Sequence, residues 1–339
     1  MTYRIEERLL HFKQPAGTSR GVYTTRKICL VHLYEGDRHG VGECAPLPDL
    51  SCDALPDQEY ASILNKVCED FCQSGKIDDD SLRDYPSMLF GLETALLNLQ
   101  NGDRLFDTAF SRGETGIPIN GLVWMGNHDE MLRRMEEKLS QGFRCIKLKI
   151  GAIDFDQELD LIRRIRDRFS FHEVELRVDA NGAFPYDEAL YKLELLSQYN
   201  IHSIEQPIKA GQWAFMADLC RESPLPIALD EELIGVNDPA MKRHMLNIIK
   251  PRYIILKPSL HGGMAGCREW IETARDLGIG SWITSALESN VGLNAIAQFA
   301  ASIYGDHITM PQGLGTGQLF TDNIPMPLEI RNDQLWLCL

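Results

Sequence analysis

Five short apolar stretches of this 339-residue chain end abruptly in ionisable groups. They read Lys147-Leu148-Lys149, Arg177-Val178-Asp179-Ala180-Asn181, Ile204-Glu205-Gln206-Pro207, Leu229-Asp230-Glu231-Glu232 and Leu256-Lys257-Pro258. From Lys149 through Asp179, Glu205 and Asp230 to Lys257 the steps are 30, 26, 25 and 27 residues, each about one strand-plus-helix unit. A single carboxylate at a strand end is usually a helix cap or an ion-pair partner. A recurrence at one period is different, because it brings all of these groups to one end of a parallel sheet. Three carboxylates gathered in a small space stay ionised only where a cation neutralises them. Oxygen ligands without His or Cys select a hard ion, and Mg²⁺ suits because it keeps water and substrate oxygens in its shell. The lysines flank the carboxylates on both sides, and Lys149, beside Lys147 and the metal, is placed as a general base.

The elements that must position these groups are legible as patterns. From residue 118 onward the chain repeats a short apolar strand, a polar turn and an amphipathic helix. Strands are expected at Ile117–Val123, Cys145–Ile150, Val174–Val178, Ile201–Ile204, Ile227–Leu229, Tyr253–Leu256, Ser281–Thr284 and His307–Met310. Helices are expected at Asp156–Phe169, with Leu159, Ile162, Ile165 and Phe169 on one face, and at Asp187–Tyr199, with Leu190, Leu193 and Leu196 in register. Alternation over about 200 residues matches a parallel β/α barrel, whose active sites lie at the C-terminal rim, better than a doubly wound sheet, although periodicity alone leaves closure open. The first hundred residues differ. Val22–Leu33 reads as a strand, Glu35–Arg38 as a turn and Gly40–Glu43 as a second strand. Asp57–Cys72 and Pro86–Leu99 read as helices, the latter opening on proline. That is a small α+β unit, and the segment after Leu319 is expected to pack back on it.

At these residues the sequence resembles the enolase superfamily, specifically its muconate-lactonising subgroup. That resemblance implies an α/β fold, a (β/α)7β modified TIM barrel behind an N-terminal α+β capping domain. The divisions would be 1–105 (cap), 106–318 (barrel) and 319–339 (C-terminal segment). It implies that Lys147 and Lys149 form the second-strand Lys-x-Lys, that Asp179, Glu205 and Asp230 hold Mg²⁺ with Asn181 in support, and that Lys257 is the sixth-strand lysine. The shared chemistry is removal of a proton α to a carboxylate, through an enediolate held by the metal. Gly42-Glu43-Cys44-Ala45-Pro46-Leu47-Pro48, Arg177-x-Asp179 and Leu256-Lys257-Pro258-Ser259-Leu260-His261-Gly262-Gly263 are similar to segments of the o-succinylbenzoate synthase family. The likeness implies that Lys149 takes the α-proton and returns it to the departing hydroxyl, that Lys257 faces the opposite side of the ring, and that Ser285 and Arg177 contact substrate. Dipeptide epimerases usually carry Asp-x-Asp at the eighth strand, where this chain has Met310-Pro311-Gln312-Gly313. Mandelate-type members use a seventh-strand His, which Trp282-Ile283-Thr284-Ser285 lacks. N-acylamino acid racemases need the same two lysines and remain the alternative, and a ligand-binding barrel without chemistry is disfavoured by six retained charges.

Composition excludes other classes. Lys and Arg number 34 against 49 Asp and Glu, a formal charge of −15 that argues against nucleic acid and anionic membranes as partners and leaves a small-molecule carboxylate. Apolar residues make up 44% and charged residues 24%, as expected of a packed globular protein. No stretch of 18 apolar residues spans a bilayer, the charged start Met1–Arg8 is unlike a signal peptide, and nine scattered cysteines without Cys-x-x-Cys fit a reducing cytoplasm. Cys68 and Cys72, four apart on a helix, are expected to pack rather than bind metal. Gly17-Thr18-Ser19-Arg20-Gly21 has the spacing of a nucleophile elbow but not its strand-then-helix setting, so it is expected to be a loop, with Arg20 available to a substrate carboxylate. Gly313-x-Gly315-x-Gly317 lacks the acidic residue about twenty positions on that a dinucleotide loop needs. His261 is expected to be a loop residue.

Overall fold

The computed structural model describes residues 1–18 and 21–339. The chain opens with an antiparallel sheet of β1 (Thr2–Thr18), β2 (Gly21–Glu35) and β3 (Arg38–Cys44), in that order. Gly36 takes the left-handed φ of 60° that the tight Glu35–Arg38 turn requires. Helices α1 (Asp57–Ser74), α2 (Asp79–Leu82) and α3 (Pro86–Asn101) cover this sheet. Val31, Leu33, Leu64, Phe71 and Met88 form their common core. The sheet and α3 touch backbone to backbone. A Cβ on Gly42 would lie 1.9 Å from the Gly91 carbonyl oxygen, so only glycine fits. The sequence patterns miss β1, because its side chains are mostly exposed and its apolar residues are interleaved with the ion-paired Arg4, Glu6 and Arg8.

The second part begins with β4 (Ile117–Pro118) and β5 (Gly121–Val123) and continues through α4 (His128–Ser140), β6 (Cys145–Lys149), α5 (Phe155–Arg168), β7 (Glu175–Asp179), α6 (Tyr186–Ser197), β8 (Ser203–Glu205), α7 (Trp213–Glu222), β9 (Ile227–Leu229), α8 (Pro239–Ile249), β10 (Tyr253–Leu256), α9 (Gly263–Asp276), β11 (Gly280–Ile283) and α10 (Asn290–Tyr304). Strands β5 to β11 form one seven-stranded parallel sheet in sequence order. Its two edge strands are linked through residues 312 and 313, by isolated parallel bridges from Ile119 to Gln312 and from Thr284 to Gly313. The result is a TIM-barrel-like α/β fold. Outward residues such as Ile146, Leu148, Leu176 and Val178 are buried against the helices, and the alternate residues face the barrel interior.

Two expected strands differ. Ile117–Val123 splits, because β4 pairs with a strand at the end of the chain (Gln334–Leu337) in a small separate sheet and only β5 joins the barrel. His307–Met310 is not a strand, since Pro311 interrupts and the edge contact is made by the two residues that follow. The chain ends in a hairpin, β12 (Leu328–Arg331) and β13 (Gln334–Leu337). Just before it, Phe320 bridges to Phe12 of β1. Among the described residues no helix is long and apolar enough to cross a membrane, and the nine cysteines are free.

Candidate active site

Parallel register aligns the charged strand ends. Lys149 stands opposite Asp179, and Asp179 opposite Glu205, on neighbouring strands. Asp179, Glu205 and Asp230 are all buried at the C-terminal end of the barrel. Lys147 Nζ lies 2.9 Å from Asp179 Oδ2 and also contacts Glu205 Oε2. Lys149 Nζ donates to Asp179 Oδ2 at 3.0 Å and to Asn181 Oδ1 at 2.7 Å. Separated from the strand of Lys149 by three others, at the end of β10, Lys257 Nζ pairs with Asp230 Oδ2 at the end of the neighbouring β9. Thus six of the predicted residues converge, with Asn181 beside them.

Electrostatics follow from this mixture. Burial pushes the Asp179 carboxyl up, but Lys147 and Lys149 outweigh it and hold that group well below the usual carboxylate range. Asp230 is likewise lowered, with Lys257 outweighing burial. Glu205 moves the other way: burial and then the nearby Asp179 raise it well above its ordinary value. Burial would lower Lys147, yet Asp179, Glu205 and Asp230 outweigh it and raise the group. Lys147 is therefore a fixed positive charge.

The turns that carry these groups are pinned. Asn181 adopts a left-handed φ of 45°. Its N–H donates to Asp179 Oδ1 at 3.1 Å and its Nδ2 to Glu231 Oε1 at 3.0 Å. Gln206 spans two strand ends: its Oε1 accepts from the N–H groups of Asp230 and Glu232, and its Nε2 donates to Ile208 O and Glu232 Oε2. His261 does lie in a loop, but a buried one. Burial lowers its pKa to about 3, so the neutral ring accepts the Lys257 N–H at Nδ1, 2.9 Å away.

Lys147, Lys149, Asp179, Glu205 and Lys257 line a cavity of about 100 Å³. Ser285 also faces it, hydrogen-bonded to Thr316 Oγ1 at 2.6 Å. Trp124, whose ring centre is 5.9 Å from Lys149 Nζ, forms part of the wall. Arg177 is not in the lining. The two-residue strand period puts it on the same face as Asp179 but one layer deeper. There it pairs with Glu175, donates to Pro311 O and stacks 4.4 Å from the Trp282 ring centre. Arg20 lies outside the described residues. Sequence reasoning missed Glu231, Trp124 and Thr316; Glu231 adjoins Asp230 and Trp124 follows the first barrel strand, and those positions were the available signals.

Among the described residues no three His, Cys, Asp or Glu side chains stand as a ready metal cluster, since lysines hold the carboxylates. The donor set nevertheless fits a hard cation. Glu205 Oε1 and Asp230 Oδ1 are buried oxygens with no hydrogen-bond partner, an expensive state that a divalent ion would relieve.

Comparison with known proteins agrees with this geometry. Residues 130–337 match the family model "Enolase C-terminal domain-like", and residues 18–99 match "MenC, N-terminal domain". The o-succinylbenzoate synthase of Desulfotalea psychrophila is 46% identical over 97% of this chain and 96% of that protein. The chain belongs to the o-succinylbenzoate synthase family of the enolase superfamily. Another family member, from Haemophilus influenzae, is 26% identical over 83% of this chain and 80% of its own length. The crystal structure of MenC from Desulfotalea psychrophila superposes with a TM-score of 0.85 at 41% identity, covering 99% of each chain. A substrate-liganded L-Ala-D/L-Glu epimerase from Bacillus subtilis has the same fold, with a TM-score of 0.84 at 20% identity over 99% of this chain and 96% of its own. Family membership and the paired lysines together make this an enzyme of carbon–oxygen lyase type.

Proposed function

We propose that the protein dehydrates 2-succinyl-6-hydroxy-2,4-cyclohexadiene-1-carboxylate to 2-succinylbenzoate, a step of menaquinone biosynthesis. The observation that carries this reading is the pair Lys149 and Lys257, set on opposite sides of a buried carboxylate triad in a chain of this family. Lys149, as the free amine, removes the proton α to the substrate carboxylate. The electron pair left behind forms the ring double bond as the carbon–oxygen bond breaks. The same lysine, now an ammonium, gives that proton to the departing hydroxyl, and water leaves from the face it departed. Lys257 stabilises negative charge from the other side, while Lys147, held charged by its carboxylates, adds a fixed positive field. Asp179, Glu205 and Asp230 would hold Mg²⁺, with Asn181 in support. A bound divalent ion supplies the charge stabilisation that makes so weak a carbon acid reactive. Ser285 faces the cavity as a substrate contact.

The finer architecture belongs to the same reading: a (β/α)7β barrel over 106–318, supported by the bridges at 312 and 313, a capping domain over 1–105, and a C-terminal segment over 319–339 returning to it. A small-molecule partner and a cytoplasmic location accord with the biosynthetic role. The test is loss of the diene absorbance on adding purified protein and Mg²⁺, repeated with EDTA. Fast, metal-dependent loss supports dehydration. Absence of turnover with metal bound would refute it and direct attention to racemisation of N-acylamino acids.

A further inference from the structure

The catalytic cavity, at about 100 Å³, is smaller than the roughly 300 Å³ at which small-molecule pockets usually begin. The adjoining space is larger. A groove of about 510 Å³ shares Asn120, Leu122, Trp124, Gly315 and Thr316 with the cavity as a common wall. Topology creates it. The two residues leading into β5 meet the last segment of the barrel through the Ile119–Gln312 bridge and the Asn120 N–H to Gln312 O bond. Beyond these, among the described residues, no backbone pairing connects β5 to 313–316, and the seam opens. Residues 13–16 of β1, the face of α4 and the β12–β13 hairpin wall the opening from outside.

The charge of this groove opposes that of the molecule. In a chain of net charge −15, Lys13, Arg134 and Lys138 face it against the single carboxylate of Glu137. Arg134 is fixed by donating to the carbonyls of Trp124 and Met125 at 3.2 and 2.8 Å. Lys138, one helical turn on, is half-buried with its Nζ 5.1 Å from the Phe143 ring centre. Leu122, Trp124, Phe143 and Ile330 supply apolar surface between these cations. Cations around an apolar slot match a ring that carries one carboxylate directly and a second at the end of its succinyl chain, and a locally inverted field accelerates anion capture.

We propose that the seam groove captures dicarboxylates and passes them to the catalytic cavity, with Lys13, Arg134 and Lys138 holding the anion and the apolar walls holding its ring. The proposal rests on the dicarboxylate substrate inferred above. Its test therefore reads binding separately from turnover: the association rate of 2-succinylbenzoate, followed by stopped-flow tryptophan fluorescence at rising NaCl. Lys13→Glu is the main variant, because Lys13 is exposed and its replacement leaves packing intact; Lys138→Ala is the second. Each should slow association on the order of tenfold at low salt, converge with the parent protein at high salt, and leave kcat unchanged. An association rate unmoved by Lys13→Glu, or a loss that salt does not abolish, would overturn the groove whatever turnover shows. Salt-sensitive association in a protein that fails to consume the diene would keep the groove and retire the dehydration reading.

Discussion

Glu43 ties the N-terminal unit to the substrate-facing loop, and replacing it should be costly in a way that depends on pH. Its carboxylate is fully buried. Oε1 accepts the Ser289 N–H at 2.8 Å, and Oε2 accepts the Gly292 N–H at 2.9 Å and the Ser289 hydroxyl. It therefore caps α10 from another part of the chain, with no solvent to replace it. Glu43→Ala strands two buried amide donors and a hydroxyl. At about 1–3 kcal/mol for each unsatisfied donor, discounted for relaxation, the loss should be about 4 kcal/mol. Burial, with a further push from Glu288, raises the Glu43 carboxyl to about 7 despite the Ser289 and Gly292 hydrogen bonds. Arg26 is the neighbouring cation, with its guanidinium on the carbonyls of Ala45, Pro46 and Leu287. The folded protein thus holds a proton that the unfolded chain releases near 4.5. The extra stability is complete below that value and is lost as pH rises through about 7, by up to about 3 kcal/mol. The destabilisation by Glu43→Ala should accordingly be larger at pH 5 than at pH 8. Urea unfolding at both values measures it through the shift in midpoint at constant slope. Because Ser285, Ala286 and Leu287 line the cavity, KM should also rise, on the order of tenfold. A loss below about 1 kcal/mol, or one equal at the two pH values, would refute the argument.

Lys149→Ala should lower kcat on the order of 10²–10⁴-fold while circular dichroism stays that of the parent protein, because loss of a general base acts on the transition state. Unchanged turnover would remove Lys149 from that role. Glu205→Gln should weaken Mg²⁺ binding by roughly tenfold or more in a calorimetric titration, since it removes one anionic donor from the triad. Equal affinity would break the ligand assignment. EDTA treatment should abolish turnover and added Mg²⁺ restore it; activity that persists in EDTA would count against a metal-dependent reaction.

The residues most legible in the sequence are those whose position follows from local periodicity. Lys149, Asp179, Glu205, Asp230 and Lys257 each end a short apolar run, so knowing the β/α repeat was enough to send them to one rim. Arg177, which the family resemblance alone assigns to the substrate, shares a face with Asp179, but the strand rises about 3.3 Å per residue and places it a layer down, under the site. No strand forms at His307–Met310, despite its apolar content, because Pro311 interrupts the chain before the edge contact at 312 and 313. β1 escaped notice because charged side chains on a mostly exposed strand carry no burial signal. Glu43 stood inside a motif whose resemblance was clear, but its partners Ser289 and Gly292 lie 246 and 249 residues away. No window of sequence joins them. What local pattern specifies here is which groups reach the rim. What it leaves out is the long-range capping that fixes the loop around the substrate, and Glu43→Ala tests that part directly.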